Sequence, residues 1–174
     1  DCSILANGAA ALILSKEETD IKVAGSAEGS DYIAPFERED MTSWDATKLA
    51  AEEACKQAGI TPSEIDIAEL HDAFTSVELI SYEDLGFCKK GEGKELIRKG
   101  ITNINGKLPV NTSGGLKAKG HPISATGISQ IYELVKQMRN EAGKRQIDNI
   151  KYAMAQNIGG AGSTVAVHIL ENKR

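Results

Sequence analysis

Three segments of the chain carry chemically unusual residues at points where strands and helices should meet. In the first, residues 69–74, His71 directly follows an alternating apolar stretch that predicts a strand. A histidine at such a junction can face a cleft and exchange a proton near neutral pH. It can equally cap the helix that follows, and the segment alone leaves both interpretations open.

The second segment, residues 114–127, combines glycines with a histidine and a proline. Gly114, Gly115 and Gly120 would let a ligand approach the backbone closely, and the proline after His121 restricts this histidine to an extended conformation. The order of the glycines and lysines matches neither of the common phosphate-binding loops. The segment therefore favours a positioned catalytic His121 over a nucleotide-binding loop.

The third segment, residues 156–162, places consecutive glycines between two predicted strands. These glycines can simply form a turn, or the backbone N–H of Gly159 can point at a substrate carbonyl group. Two histidines and such a donor suit an oxyanion beside a nucleophile, but no nucleophile is evident. Cys2 lies at the start of the chain, Cys55 on a helix face that predicts packing, and Cys88 in no recognisable motif.

The elements that must position these segments alternate between strands and helices. Hydrophobic spacing predicts strands at residues 8–14, 21–25, 65–70, 152–155 and 164–170, and helices at 44–59, 74–85, 92–99 and 124–142. The last two strands are separated by a tight turn and predict a hairpin. We therefore expect one α/β domain over residues 1–174, with helices packed on a mixed sheet of five strands.

Composition excludes several classes of protein. The 174 residues are 41% hydrophobic and 26% charged, which suffices for one core, and the net charge of −5 argues against a general nucleic-acid binder. No stretch approaches the roughly 20 apolar residues of a membrane span, so we expect a cytoplasmic protein. The three cysteines are widely spaced, which excludes a disulfide framework and predicts no metal site.

Taken together, residues 71–74, 120–127 and 157–162 resemble the three C-terminal signature loops of thiolases, in the family's order. The resemblance is closest to the sterol-carrier-protein-type and archaeal thiolases, whose first loop begins His-Asp. It covers nearly the whole chain. It implies a thiolase-like half with βαβαβαββ order, from an acetyl-CoA acyltransferase that condenses or cleaves 3-ketoacyl-CoA and is usually a homodimer or homotetramer.

The resemblance also implies roles for individual residues. The nucleophilic cysteine of the family belongs to an N-terminal domain, which would be a partner of this chain, and residues 1–14 would lie near the junction. His121 would activate that cysteine, His71 would contribute to the first oxyanion site, and the N–H of Gly159 would serve the second. We therefore expect the chain alone to be inactive.

Coenzyme A enters these expectations as part of the substrate, with no permanently bound cofactor. Its phosphates would gain from local positive charge. The residues that we expect to contact it are Gly114, Gly115, Lys117 and Lys119. More lysines and an arginine lie at residues 89–99, where a solvated surface is the preferred interpretation.

The sequence departs from the family at several positions. Most thiolases have a second, acid/base cysteine where Asn157 stands, and the sterol-carrier type has it where Ala73 stands. His71 is the obvious substitute as the proton shuttle. Ser124 stands where the family more often has glycine. The missing cysteine leaves open an alternative function, a non-catalytic thiolase-like subunit for assembly or acyl-CoA binding.

Overall fold

The structure is a computed structural model and describes residues 1–174. It contains four strands and five helices in one α/β domain. The strands are β1 (Ile21–Ser30), β2 (Ile67–Glu69), β3 (Tyr152–Gly159) and β4 (Thr164–Asn172), and the helices are α1 (Asp45–Ala58), α2 (Thr75–Asp84), α3 (Gly93–Arg98), α4 (Gly115–Lys119) and α5 (Thr126–Met138).

The four strands form one mixed sheet in the order β1-β4-β3-β2. β3 and β4 form the predicted antiparallel hairpin, β1 pairs antiparallel with β4, and β2 pairs parallel with β3. The parallel pair directs the end of β2 and the end of β3 toward the same edge of the sheet. The first motif segment begins at the end of β2, and the third includes the last four residues of β3, which extends beyond its predicted end at residue 155.

The prediction of five strands is wrong, because residues 8–14 do not join the sheet. No backbone hydrogen bond connects this segment to the rest of the chain, and Ile13 and Leu14 are 95% and 75% exposed. The neighbours of β4 are β1 and β3, which pair with it along its length and leave no edge of β4 for another strand. The apolar run indicates burial, but it does not supply a pairing partner.

One face of the sheet is closed by α1, which packs on β1 and β4. Ala46, Ala50, Ala51 and Ala54 of this helix are buried. Gly25 and Gly29 make the approach possible, since a Cβ atom at either position would lie 2.1 Å from the backbone oxygen of Ala54 or Ala46. Larger residues in β1 would therefore push the helix off the sheet.

The opposite face is covered only in part. Leu134 and Met138 of α5 pack against β2 and β3 through Ile67 and Ala153, which forms the second core of the domain. Because side chains alternate along β1, Ser26, Glu28 and Ser30 point to this same face, and all three are exposed.

No helix of the structure is both long and apolar enough to cross a membrane.

Candidate active site

Residues 1–6 run between the two histidine loops and pair with both. The backbone N–H of Ser3 donates to the carbonyl oxygen of Ala73 at 2.8 Å, and the N–H of His121 donates to Ile4 at 2.8 Å. This short segment therefore connects loops that are far apart in the sequence, and it fixes the backbone of His121 relative to the His71 loop.

The three motif segments and residues 1–6 enclose a cavity of about 810 Å³. His71, His121 and Gly159, the three predicted catalytic residues, all line it. The ring centroids of the two histidines are 5.0 Å apart, and the ring planes are nearly perpendicular, at 85°. The structure thus brings the imidazole groups close enough to act on one small substrate group.

His71 lies just beyond the end of β2, where its backbone N–H donates to Oε1 of Gln156 at 3.2 Å. The residue is only 7% exposed. Burial, and secondarily the nearby His121, lowers the pKa of His71 to about 4, because the charged form is poorly solvated there. The ring is therefore neutral at pH 7.

A chain of amide groups determines which nitrogen of His71 carries the hydrogen. Nε2 of Gln130 donates to the carbonyl oxygen of Gln156 at 3.0 Å, so Oε1 of Gln130 is left to accept. It accepts from Nδ2 of Asn157 at 3.4 Å, and the same amide nitrogen donates to Nδ1 of His71 at 3.2 Å. Since Nδ1 is an acceptor, the hydrogen of His71 lies on Nε2.

His121 has the opposite tautomer. Oγ1 of Thr126 donates to the carbonyl oxygen of Pro122 at 3.1 Å, and it lies 2.8 Å from Nδ1 of His121. A hydroxyl group has one hydrogen, so the threonine oxygen accepts from Nδ1 and leaves a lone pair on Nε2. Burial lowers the pKa of His121, and the carboxylate of Asp72 opposes that effect.

Together the two imidazoles offer one N–H donor and one base, both on Nε2. Such a pair can hold a carbonyl oxygen while it takes a proton from a thiol. Of the three cysteines only Cys2 lines the cavity. Cys55 is buried, and burial raises the pKa of the Cys88 thiol to about 11, so neither thiol is activated. No group of His, Cys, Asp and Glu side chains is arranged to hold a metal ion.

The four residues predicted to contact coenzyme A are outside the cavity lining. Gly115 begins α4, a helix of five residues that the sequence analysis took for a loop. The ammonium group of Lys117 donates to the carbonyl oxygen of Cys2 at 3.0 Å, and that of Lys119 to Ser129 at 3.4 Å. A role in coenzyme A binding stays a prediction for Gly114, Gly115, Lys117 and Lys119.

The residues that orient the two rings are not among the predicted site residues. Gln130 is 1% exposed and lies one helical turn before the buried Leu134, so a polar residue next to a core leucine was the available signal in the sequence. Nothing in the sequence indicated that Asn157 and Thr126 contact histidines. Ser124 also lines the cavity, with φ at +71°, which explains why glycine suits this position.

An α/β domain with a donor and a base at the carboxyl edge of its sheet is typical of enzymes that act on carbonyl groups. Comparison with known proteins makes the assignment specific. Residues 27–172 match the family described as "Thiolase C-terminal domain-like", and the chain belongs to this family.

Individual relatives agree with this membership. The chain is 50% identical to an acetyl-CoA acetyltransferase of Methanothermobacter thermautotrophicus over 97% of its own length and 46% of the relative. It is 39% identical to human sterol carrier protein 2, over 94% of its own length and 32% of that relative. The solved Ltp2-ChsH2(DUF35) aldolase has a TM-score of 0.80 and 30% sequence identity, and the match covers 88% of this chain and 40% of the aldolase chain. The chain spans about half the length of the acetyltransferase relatives it matches.

Proposed function

We propose that this chain is the catalytic C-terminal half of a thiolase-type acyltransferase, which cleaves or forms the carbon–carbon bond of a 3-ketoacyl-CoA. The observation that carries the proposal is the pair of imidazoles in one cavity, 5.0 Å apart and held in complementary tautomers. The name of the archaeal relative, acetyl-CoA acetyltransferase, supports this substrate class.

In this proposal His121 is the base. Its Nε2 lone pair takes the proton from a nucleophilic cysteine, and the resulting thiolate attacks the carbonyl carbon of the thioester or ketone. The hydrogen bond from Nδ1 to Thr126 keeps the lone pair directed into the cavity. A pKa below the ordinary value of histidine keeps the ring unprotonated, and so available as a base, at neutral pH.

His71 is the donor to the oxygen that becomes negative. The Nε2–H group donates a hydrogen bond to this oxygen. The ring is neutral at pH 7 because the pKa of His71 is about 4. The same low pKa favours a role as hydrogen-bond donor over one as the proton shuttle. The backbone N–H of Gly159 is the donor that we propose for the second oxyanion, where the absence of a Cβ atom leaves room for the substrate.

The nucleophile would come from an N-terminal thiolase domain. On the face of the sheet opposite α1, the half formed by β1 and β4 carries no helix, and the exposed Ile13 and Leu14 lie next to the start of β1 and supply an apolar surface there. We propose that this surface packs against the nucleophile-bearing domain. A homodimer or homotetramer in the cytoplasm, acting on acetyl-CoA or a longer acyl-CoA, belongs to the same proposal.

The test compares acetoacetyl-CoA cleavage by the 174-residue chain with cleavage by the complete gene product that contains it. We expect no turnover by the chain alone, because the family resemblance assigns the nucleophilic cysteine to the N-terminal domain, and neither Cys55 nor Cys88 is an activated thiol. The complete product should release acetyl-CoA when free coenzyme A is added. Turnover by the chain alone would contradict the assignment of the nucleophile to another domain.

Two further candidates make different predictions for the same assay. A non-catalytic subunit, favoured by the absence of cysteine at Ala73 and Asn157, predicts no turnover by the complete product. An aldolase, favoured by the Ltp2-ChsH2(DUF35) structure, predicts cleavage of a 3-hydroxyacyl-CoA without added coenzyme A. Acetoacetyl-CoA therefore distinguishes the non-catalytic subunit from the thiolase, and the 3-hydroxyacyl-CoA distinguishes the aldolase from it.

A further inference from the structure

We propose that Asp72 is a positioning residue of the site: its buried carboxylate holds the segment that leads to His121 against the His71 loop, and its negative charge acts on His121. The kinetic part of this inference rests on the proposed function, and the structural part does not. Asp72 follows His71 directly and is 2% exposed.

The side-chain hydrogen bonds of Asp72 are both with the start of α4. Its Oδ1 accepts from the backbone N–H of Leu116 at 2.7 Å, and its Oδ2 accepts from the N–H of Lys117 at 3.3 Å. These N–H groups belong to the first turn of the helix and have no partner within it. α4 ends at Lys119, and Gly120 and then His121 follow it directly. The carboxylate therefore anchors the start of the short helix that leads to the base.

Gly115 is explained by this anchor. Its φ is +60°, and a Cβ atom at this position would lie 2.2 Å from Oδ2 of Asp72. Any side chain would therefore displace the carboxylate from the helix. The glycine that the sequence analysis assigned to coenzyme A binding thus makes room for a side chain of the protein itself.

The charge of Asp72 acts on His121 in the direction that a base requires. Burial lowers the pKa of His121, and Asp72 is the charged residue that raises it. The other titratable groups that line the same cavity are the neutral His71 ring, the thiol of Cys2 and His168, whose Nδ1 is 3.0 Å from Oγ of Ser26. On α4, Lys119 contacts Ser129, and Lys117 contacts the backbone of Cys2.

A second buried carboxylate provides a matched control. Glu69 holds the same segment one turn earlier, where it accepts from the N–H of Ser113 at 2.9 Å and from its Oγ at 2.5 Å. It lies on the same strand end as Asp72, but it is not among the groups that shift the pKa of His121. Its amide variant should loosen the segment without changing the charge that His121 faces.

The experiment is an NMR titration of histidine-labelled protein, with Asp72→Asn and Glu69→Gln as the two variants. The chain has three histidines, so His71→Gln and His168→Gln assign the resonances. We expect Asp72→Asn to lower the pKa of His121 by about 0.5 or more, and Glu69→Gln to leave it within about 0.2. An unchanged pKa in Asp72→Asn, or an equal fall in both variants, would overturn the inference.

Two further measurements distinguish a failure of the Asp72 anchor from a failure of the proposed function. In wild-type protein, which needs no variant to fold, the amide protons of Leu116 and Lys117 should exchange about 100-fold more slowly than those of residues 9–12. Equal exchange rates would overturn the anchor. In the complete gene product, the acid limb of kcat/KM should move to lower pH in Asp72→Asn by the same amount as the pKa. If the wild type has no acyl-CoA turnover while the titration behaves as expected, the proposed function fails and the anchor stands.

Discussion

His71 and His121 have the same side chain and differ in the contacts around it. His71 is almost fully buried and is held by amide groups, with its ring bonded to Asn157. His121 is half-buried, is held by the hydroxyl group of Thr126 and faces the charge of Asp72. The comparison teaches that one ring is fixed as a donor and the other as a base by their neighbours, since the residue type is the same.

The largest expected effect comes from exchanging each ring for an amide. Glutamine keeps an N–H donor but is not a base, so His121→Gln should lower kcat for acetoacetyl-CoA cleavage by roughly 10²-fold or more. His71→Gln should lower it by about tenfold, because the new N–H replaces the lost one in part. Both are measured in the complete gene product. Equal losses would remove the distinction between donor and base.

The next effect is the pH dependence of stability. The pKa of His71 is about 4 in the folded protein and 6.5 ordinarily, so the unfolded chain binds more protons between these values. Stability is therefore present above pH 6.5 and is lost as the pH falls toward 4, by about 3 kcal/mol from this residue. Urea unfolding at pH 7 and pH 4 should show a smaller loss for His71→Gln. A variant with the same pH dependence as wild type would show that the ring is solvated.

A smaller effect should follow when the tautomer of His71 is reversed. In Asn157→Asp the new carboxylate accepts from Nδ1–H, so the hydrogen leaves Nε2 and the donor is lost. We expect kcat to fall by about tenfold, and the ¹⁵N shifts of the ring to report the exchanged nitrogens. Thr126→Val is the control, since it removes the partner of His121 and should leave the His71 shifts unchanged. Unchanged shifts in Asn157→Asp would contradict the amide chain.

The smallest expected effect concerns the backbone beside His121. Ser124 has a left-handed conformation, with φ at +71°, on a loop that has no counterpart next to His71. Ser124→Gly should stabilise the protein by about 1 kcal/mol, because glycine adopts this conformation without the strain of a Cβ atom. Thermal unfolding measures the change. A lower midpoint in Ser124→Gly would mean that the serine side chain makes a compensating contact.

The features that sequence predicted are those that local spacing encodes. The apolar periodicity of α1 and the tight turn between β3 and β4 are contained within short windows of the chain, and both are confirmed. The three histidine and glycine motifs likewise lie in contiguous segments. Their meeting in one cavity followed from the family resemblance, because the order of strands in a sheet is not a local property.

The features that sequence missed depend on contacts between distant residues. Residues 8–14 have the composition of a strand, but a strand forms only where another strand has an unpaired edge beside it. The five residues of α4 are too few for a helical period to be visible, and they are held by Asp72. The tautomers depend on Gln130 and Thr126, whose partners are decided only when α5 packs on the sheet.

The pairing of residues 1–6 with both histidine loops bears on the order of folding. The contact between Ile4 and His121 closes a longer loop than the contacts that join the His71 loop to β3, and loop closure of this kind is slow and entropically costly. The hairpin and α1 can form first from nearby residues. The two imidazoles then reach their final separation last, so catalytic competence would report on the completion of folding. A chain trimmed before Asn7 would keep its sheet, but its two histidine loops would lose their backbone hydrogen bonds to Ser3 and Ile4.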